Sequence, residues 1–174
     1  ILQMNYLAHA FLYFDNADIL TGNMIRDFVN GKRKLEYPFH IQKGIELHRF
    51  IDTFTDFHPS TAKAKEYFRP QYRLYSGAFI DIVYDHFLAL DQDQFEKYGG
   101  LESFTHLTYT LLDTETAYFP FPFQRMFPYM KSQNWLYNYR LKEGIKNSFG
   151  GLVRRAAYLT ESDIAFTICN ENYD

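Results

Sequence analysis

The stretch from Ile45 to Pro59, IELHRFIDTFTDFHP, places His48, Asp52 and Asp56 at intervals of four residues. In an α-helix this spacing stacks the three side chains along one face, while the apolar residues between them supply a packing surface. An imidazole followed by two carboxylates, one turn apart, can converge on a divalent cation. The alternative is an exposed face whose charges pair with other side chains. The stretch therefore predicts a packed helix whose polar row is either a ligand set or a solvated edge.

Composition predicts one globular domain with a substantial core. The chain has 174 residues, of which 47% are hydrophobic and 20% aromatic. Its net charge of -3 provides no overall basic field for nucleic acid or anionic membranes. Cys169 is the single cysteine, which excludes an internal disulfide framework and a multi-cysteine zinc site and fits a reducing compartment. A lone thiol near a chain end is expected to be a packing residue.

The sequence contains no apolar run of about 18 residues, so we expect no membrane-spanning helix. The apolar start lacks a basic segment and contains His9, so we do not interpret it as a signal peptide. We therefore predict a cytoplasmic protein. Met4 is the expected natural start, and residues 1–3 are interpreted as an extension outside a domain spanning residues 4–174.

The apolar residues follow a helical period, and strand alternation and hairpin dipeptides are missing. The fold class predicted is a single all-α domain. A turn at Asp15–Asp18 is predicted to cap a helix over 19–30, and Pro38 to open the helix that ends before His58. Further helices are expected at about 61–68, 76–90, 102–116, 137–147, 151–158 and from 160 toward the end. Pro70 is predicted to break a helix, and the aromatic, proline-rich run 118–128 to form a bend.

Metal-capable side chains occur in four separate apolar segments. They are His9, Asp27, the row beginning at His48, and the adjacent pair Asp85 and His86. Buried imidazoles and carboxylates are unfavourable unless they are paired or coordinated, so their recurrence indicates a metal centre built from several helices. The alternatives stay open for each: a hydrogen-bonded core histidine at position 9, a capping or surface acid at position 27, and a ligand with a supporting neighbour at 85 and 86.

Five stretches resemble the acyl carrier protein phosphodiesterase family, in its order and at its approximate spacing. They are MNYLAHA from Met4, GNMIRDFVNG from Gly22, IQKGIELHRFIDTFTDFHP from Ile41, DIVYDHFLA from Asp81 and SQNWLYNYRLKEGIKNSFGGLVRRA from Ser132. The resemblance covers nearly the whole chain. It implies a helical core similar to a rearranged HD-type metal phosphohydrolase. It also implies hydrolysis of holo-acyl carrier protein to 4′-phosphopantetheine and apo-carrier with a divalent cation, most simply Mn²⁺, although Fe²⁺, Mg²⁺ or Zn²⁺ would also suit the ligands.

The resemblance and the residue pattern together suggest specific roles. The expected metal ligands are His9, Asp27, His48, Asp52, Asp85 and His86. The expected catalytic residues are Asp27, Arg49 and Asp52, supported by Asn23, Asp56 and Asp81. The acidic carrier is expected to meet basic residues, for which the candidates are Lys32, Arg33, Lys34, Lys63, Lys65, Arg69 and Arg73.

Two rival functions remain at this stage. One is an HD-type nucleotide phosphohydrolase, and the other is a metal-free module that binds a carrier protein or phosphopantetheine. Turnover of free nucleotides discriminates the first, and metal analysis of the purified protein discriminates the second. The sequence leaves the oligomeric state open.

Overall fold

In a computed structural model of the protein, which describes residues 6–173, the regular structure consists of α-helices joined by short 3-10 turns. The predicted start at Met4 and the extension 1–3 lie outside the described residues. No helix within 6–173 has the length and apolar character needed to cross a membrane. The α-helices are α1 (Tyr6–Phe11), α2 (Ala17–Ile25), α3 (Phe39–Phe57), α4 (Pro59–Tyr72), α5 (Ser76–Leu90), α6 (Gln92–Phe95), α7 (Leu101–Thr114), α8 (Phe121–Ser132), α9 (Trp135–Asn138), α10 (Lys142–Arg155) and α11 (Asp163–Glu171).

The all-α prediction is confirmed, since the described residues contain no strand and share one hydrophobic core. α5 begins and ends where the sequence predicted. α3 begins directly after Pro38 and ends before His58, as expected, and Asn16 caps α2 by accepting a hydrogen bond from the Ile19 amide at 3.0 Å. The side-chain oxygen at this N-cap satisfies one of the free amides of the first helical turn.

α2 crosses α3 at close range through two glycines. A Cβ added at Gly22 would lie 2.1 Å from the Ile41 carbonyl oxygen, and one at Gly44 would lie 2.3 Å from the Ile19 carbonyl oxygen. Only glycine lets the two backbones approach this closely. The crossing sets the position of His48, which lies one turn after Gly44 on α3.

The short helix α1 is held in place by a buried carboxylate from α5. Asp85 accepts hydrogen bonds from the amides of Leu7 at 3.0 Å and Ala8 at 2.8 Å. These are amides near the start of α1, which have no partner within the helix itself. Because α1 is only six residues long, this anchor determines where His9 lies.

Several predicted boundaries were wrong. The two helices predicted over 137–147 and 151–158 are replaced by α9 and by the continuous helix α10. Three other differences have a local reason. The helix predicted over 19–30 leaves α geometry at Ile25 and continues as a 3-10 turn over Arg26–Phe28. α4 continues through Pro70 to Tyr72, because a proline in the last turn removes only one hydrogen bond at an exposed position. The expected bend over 118–128 largely forms α8, whose Pro122 lies in the first turn, where an amide has no helical partner.

Candidate active site and metal centre

Four side chains from three parts of the fold meet at one buried point. His9 Nε2 lies 3.3 Å from Asp52 Oδ1, and His48 Nε2 lies 3.4 Å from Asp52 Oδ2. Asp27, on the 3-10 turn after α2, brings its Oδ1 to 3.6 Å from the same His48 nitrogen. The two imidazole rings stack in parallel with their centroids 3.7 Å apart. We call these four residues the His–Asp cluster.

The protonation state of His48 follows from its hydrogen bond. Its Nδ1 lies 2.6 Å from the carbonyl oxygen of Asn23, and since a carbonyl only accepts, Nδ1 must carry the ring proton. Burial lowers the pKa of His48 to about 3, with the neighbouring His9 adding to the effect. The ring is therefore neutral near pH 7, and its Nε2 presents a lone pair toward Asp52 and Asp27.

This arrangement of donors and acceptors fits a bound cation. His9 Nε2, His48 Nε2 and Asp52 Oδ1 are buried, and none has a hydrogen-bond partner among residues 6–173. A lone pair facing carboxylate oxygens is repulsive by itself, and a positive ion between them turns that repulsion into attraction. Within the described residues, ligand atoms of His9, His48 and Asp52 all lie within 4.8 Å of one another. Imidazole and carboxylate are the donors that Mn²⁺, Fe²⁺ and Zn²⁺ accept.

Asn23 orients the His48 ring and anchors the backbone of His9. Its carbonyl accepts the His48 Nδ1 proton, and its side-chain Nδ2 donates to the His9 carbonyl oxygen at 2.7 Å. Such outer contacts fix the tautomer and ring orientation of a ligating imidazole. The position of Asn23 directly after Gly22 ties this network to the α2–α3 crossing.

Asp27 has the electrostatic character of a proton-transfer group. Burial, together with the charge of Asp52, raises its pKa from 3.8 to about 6, while His9 and Arg26 act in the opposite direction. A carboxyl with a pKa near 6 can exchange a proton at neutral pH. Sequence reasoning had not selected Arg26, whose charge also lowers the pKa of His48 and whose Nε is buried without a hydrogen-bond partner in the described part of the chain.

An open cleft of about 810 Å³ reaches the cluster at Asp52. Three cationic side chains, Lys65, Arg69 and Arg73, contribute to its lining. Asp56 also lies in the cleft, where it accepts a hydrogen bond from Lys65 at 2.6 Å. The cleft therefore offers an anionic substrate a cationic wall beside the metal-capable cluster. All three cationic residues were selected from the sequence as candidates to meet an acidic partner, and here they share one cleft.

Arg73 holds a backbone conformation that favours glycine. Its φ is 47° and its ψ is -116°, at the junction of α4 with the 3-10 turn Arg73–Tyr75. For a residue with a Cβ, such a conformation costs about 1–3 kcal/mol and persists where the surroundings enforce it, often at functional sites. The strained residue is one of the cations that line the cleft.

The structure does not bring Asp85 and His86 to the cluster. Asp85 is fully buried and bonded to the start of α1, and burial raises its pKa well above the usual value. His86 donates from Nδ1 to the Tyr139 carbonyl at 2.6 Å, and its Nε2 accepts from the Tyr173 hydroxyl. Both ring nitrogens are thus bonded. In this structure the two residues support the fold, and their predicted role as ligands has no geometric support.

The remaining predicted residues are Arg49, Asp81, the basic triplet and Lys63. Arg49 is exposed on α3 and is not among the residues that line the cleft, while Asp81 is buried on α5 one turn before Asp85. The basic triplet of Lys32, Arg33 and Lys34 lies on the 3-10 turn Gly31–Glu36. Its Lys34 pairs with Glu46 at 3.3 Å. Lys63 is exposed on α4. Cys169 is buried and unpaired, in agreement with a packing residue.

Comparison with known proteins identifies the relatives of this chain. The family model described as "Acyl carrier protein phosphodiesterase" matches residues 4–174. A protein with that name from Photorhabdus laumondii is 32% identical over 170 residues, covering 98% of this chain and 86% of the relative. One from Salmonella paratyphi A is 32% identical over 171 residues, covering 98% and 89%, and one from Salmonella agona is 31% identical over the same length. No solved structure gives a significant match.

Proposed function

Because this chain belongs to the acyl carrier protein phosphodiesterase family and is a phosphodiester hydrolase, we propose that it cleaves holo-acyl carrier protein to 4′-phosphopantetheine and apo-carrier in a divalent-cation-dependent reaction. The observation that carries the proposal is the His–Asp cluster, which opens onto a cleft with a cationic wall. The cluster suits a cation, and the wall suits a phosphodiester anion.

His9, His48 and Asp52 hold the cation in this proposal, with Asp27 beside them as a fourth ligand or as the general base. The cation, most simply Mn²⁺, would activate a water molecule and offset charge on the phosphoryl oxygens. As the general base, Asp27 would accept the proton of the attacking water, for which its pKa of about 6 is suited, and the bond between phosphorus and the serine oxygen would break with that proton passed to the serine oxygen. Asn23 keeps the His48 ring in the tautomer that leaves Nε2 free to coordinate.

The arginines supply the anion contacts. Arg73 and Arg69 line the cleft and bind non-bridging phosphoryl oxygens, a geometry for which the guanidinium fork is well shaped. Arg26, close enough to shift the pKa of Asp27 and His48, compensates negative charge at the buried side of the cluster. These contacts orient the scissile bond toward the cluster.

The test incubates holo-carrier with the protein and Mn²⁺ and follows the carrier by mass spectrometry. Loss of the mass of phosphopantetheine from the carrier is the expected result. His48→Ala and Asp52→Ala should abolish that loss and reduce the metal retained by the purified protein, since each removes a donor. His106→Ala is the matched control, because His106 is an exposed histidine on α7.

Unchanged turnover in folded His48→Ala would overturn the assignment of the centre. Turnover of free nucleotides without turnover of holo-carrier would favour the nucleotide phosphohydrolase instead. Carrier binding with neither metal nor turnover would favour the binding module. A cytoplasmic location stays a prediction in this proposal.

A further inference from the structure

Three phenylalanines form an exposed stripe on the outer side of α3. Phe50, Phe54 and Phe57 are 68%, 65% and 83% exposed, and their spacing of four and three residues places them on one helix face. We call them the phenylalanine stripe. They line a shallow depression together with Thr53, His58 and Pro59. An apolar patch of this kind on a surface marks an interaction site more often than an isolated exposed side chain does.

The stripe is continuous with the cleft. Thr53 and Phe57 line both the depression and the cleft that reaches Asp52. Phe57 follows Asp52 by five residues, or about 7.5 Å along the helix axis. The strongly exposed Leu74 lies on the same cleft. A large molecule that inserts one group into the cleft past Phe57 therefore contacts the phenylalanine stripe with the surface that stays outside the cleft.

The proposed reaction requires a protein to sit at this position. The scissile bond joins phosphorus to a serine oxygen, so only the serine Cβ and Oγ separate the carrier's backbone from the reacting atom. The folded surface around that serine must therefore cover the mouth of the cleft whenever the phosphate reaches the cluster. Apolar side chains at the mouth favour such binding, because it removes apolar surface from water.

Charge at the mouth limits the kind of partner. Lys65, Arg69 and Arg73 line the cleft beside the stripe, and Asp56 neutralises only the first of them through its ion pair. An apolar centre with arginines at its border is a common composition for a protein interface. It suits a partner with apolar side chains surrounded by carboxylates.

We propose that the phenylalanine stripe docks acyl carrier protein, with an apolar and acidic surface of the carrier on Phe50, Phe54 and Phe57 while the phosphodiester enters the cleft. This inference rests on the proposed function, because it takes the carrier as the substrate. It assigns the recognition of the protein to a surface separate from the residues that carry the chemistry.

The experiment compares two substrates that share the scissile bond: intact holo-carrier and a short phosphopantetheinylated seryl peptide. The variant is Phe50→Ser with Phe54→Ser, two residues that do not line the cleft. We expect the KM for holo-carrier to rise on the order of 10- to 100-fold, as for loss of two central interface side chains. Turnover of the peptide should stay within about twofold, since it lacks the carrier surface. Titration with apo-carrier should show the same loss of affinity.

Phe39→Ser is the matched control, because Phe39 is equally exposed at 65% on the same helix but at its opposite end. It should leave the KM for the carrier unchanged. An unaltered KM for holo-carrier in the double variant overturns the docking surface, and so does an equal loss on the peptide. A wild-type dimer that dissociates in the double variant, with carrier kinetics unchanged, assigns the stripe to contacts between copies. A wild-type protein that cleaves neither substrate with Mn²⁺ overturns the proposed function itself.

Discussion

Replacing Asp27 with asparagine should stabilise the metal-free protein at neutral pH while removing its activity. The Asp27 side chain is 11% exposed, and its environment raises the pKa from 3.8 to about 6, so the folded state disfavours the ionised carboxylate. Ionising it in the folded protein costs about 3 kcal/mol, at about 1.36 kcal/mol per pH unit between the two pKa values. Asparagine has similar shape and carries no charge, so it avoids this penalty.

The sign of the pH dependence follows from which state binds the proton. Between pH 3.8 and about 6 the folded protein keeps the Asp27 proton that the unfolded chain has released, so this residue's contribution to stability falls as pH rises through that window. The gain from Asp27→Asn should thus be about 3 kcal/mol at pH 7.5 and about 0.6 kcal/mol at pH 4. For a chain of this size, 3 kcal/mol corresponds to a rise in Tm of about 6–12 °C.

The assay is urea unfolding of EDTA-treated wild type and variant at both pH values, monitored by circular dichroism. The difference between the two proteins cancels titratable groups distant from Asp27. The lowered pKa of His48 makes the stability of both proteins fall as pH drops from 6.5 toward 3. Asp56→Asn is the control, since the Asp56 carboxylate is 45% exposed and paired with Lys65, and its loss should give no such gain. An equal gain at pH 4 and pH 7.5, or none at pH 7.5, would refute the electrostatic argument. Near wild-type release of phosphopantetheine by folded Asp27→Asn would refute its catalytic assignment.

Three further predictions test the framework around the cluster. Gly22→Ala should destabilise the protein by about 3 kcal/mol or more in urea unfolding, because the added Cβ meets the α3 backbone at 2.1 Å. Gly150→Ala is the control and should be near neutral, because its Cβ meets flexible side chains; an equal loss of stability in both variants would contradict the close crossing. Asp85→Ala leaves the Leu7 and Ala8 amides without their buried acceptor, so it should cost about 2 kcal/mol and speed hydrogen exchange at both amides; unaltered exchange would contradict the anchoring role. Arg73→Gly should raise the free energy of unfolding by about 1 kcal/mol while raising the KM for holo-carrier, and a drop in stability would show that the backbone at this position is unstrained.

The sequence by itself determined the helical class and the position of the polar row on α3, because both depend on residue spacing within one helix. The period-four row on α3 predicted a helix with His48 and Asp52 on one face, and both belong to the cluster. The helical class likewise followed from periodicity repeated along the chain. The prediction of a break at Pro70 and of a bend over 118–128 shows the limit of such reasoning. Pro70 lies inside α4 and Pro128 lies inside α8, because the neighbouring helical turns keep a geometry that a single residue disfavours.

The tertiary structure decided which buried polar side chains share a site. In the sequence, Asp85 and His86 look like Asp27 and His9, because each is an ionisable residue in an apolar segment. Their difference lies in the partners supplied by other helices. Backbone amides of α1 satisfy Asp85, whereas Nε2 of His9 and of His48 has no hydrogen-bond partner within residues 6–173. A buried polar group needs a partner. Whether that partner is a backbone group or a bound cation depends on how the helices pack, here at the α2–α3 crossing and the α1–α5 contact. Both contacts join residues that are distant in the chain, so the local sequence does not reveal them.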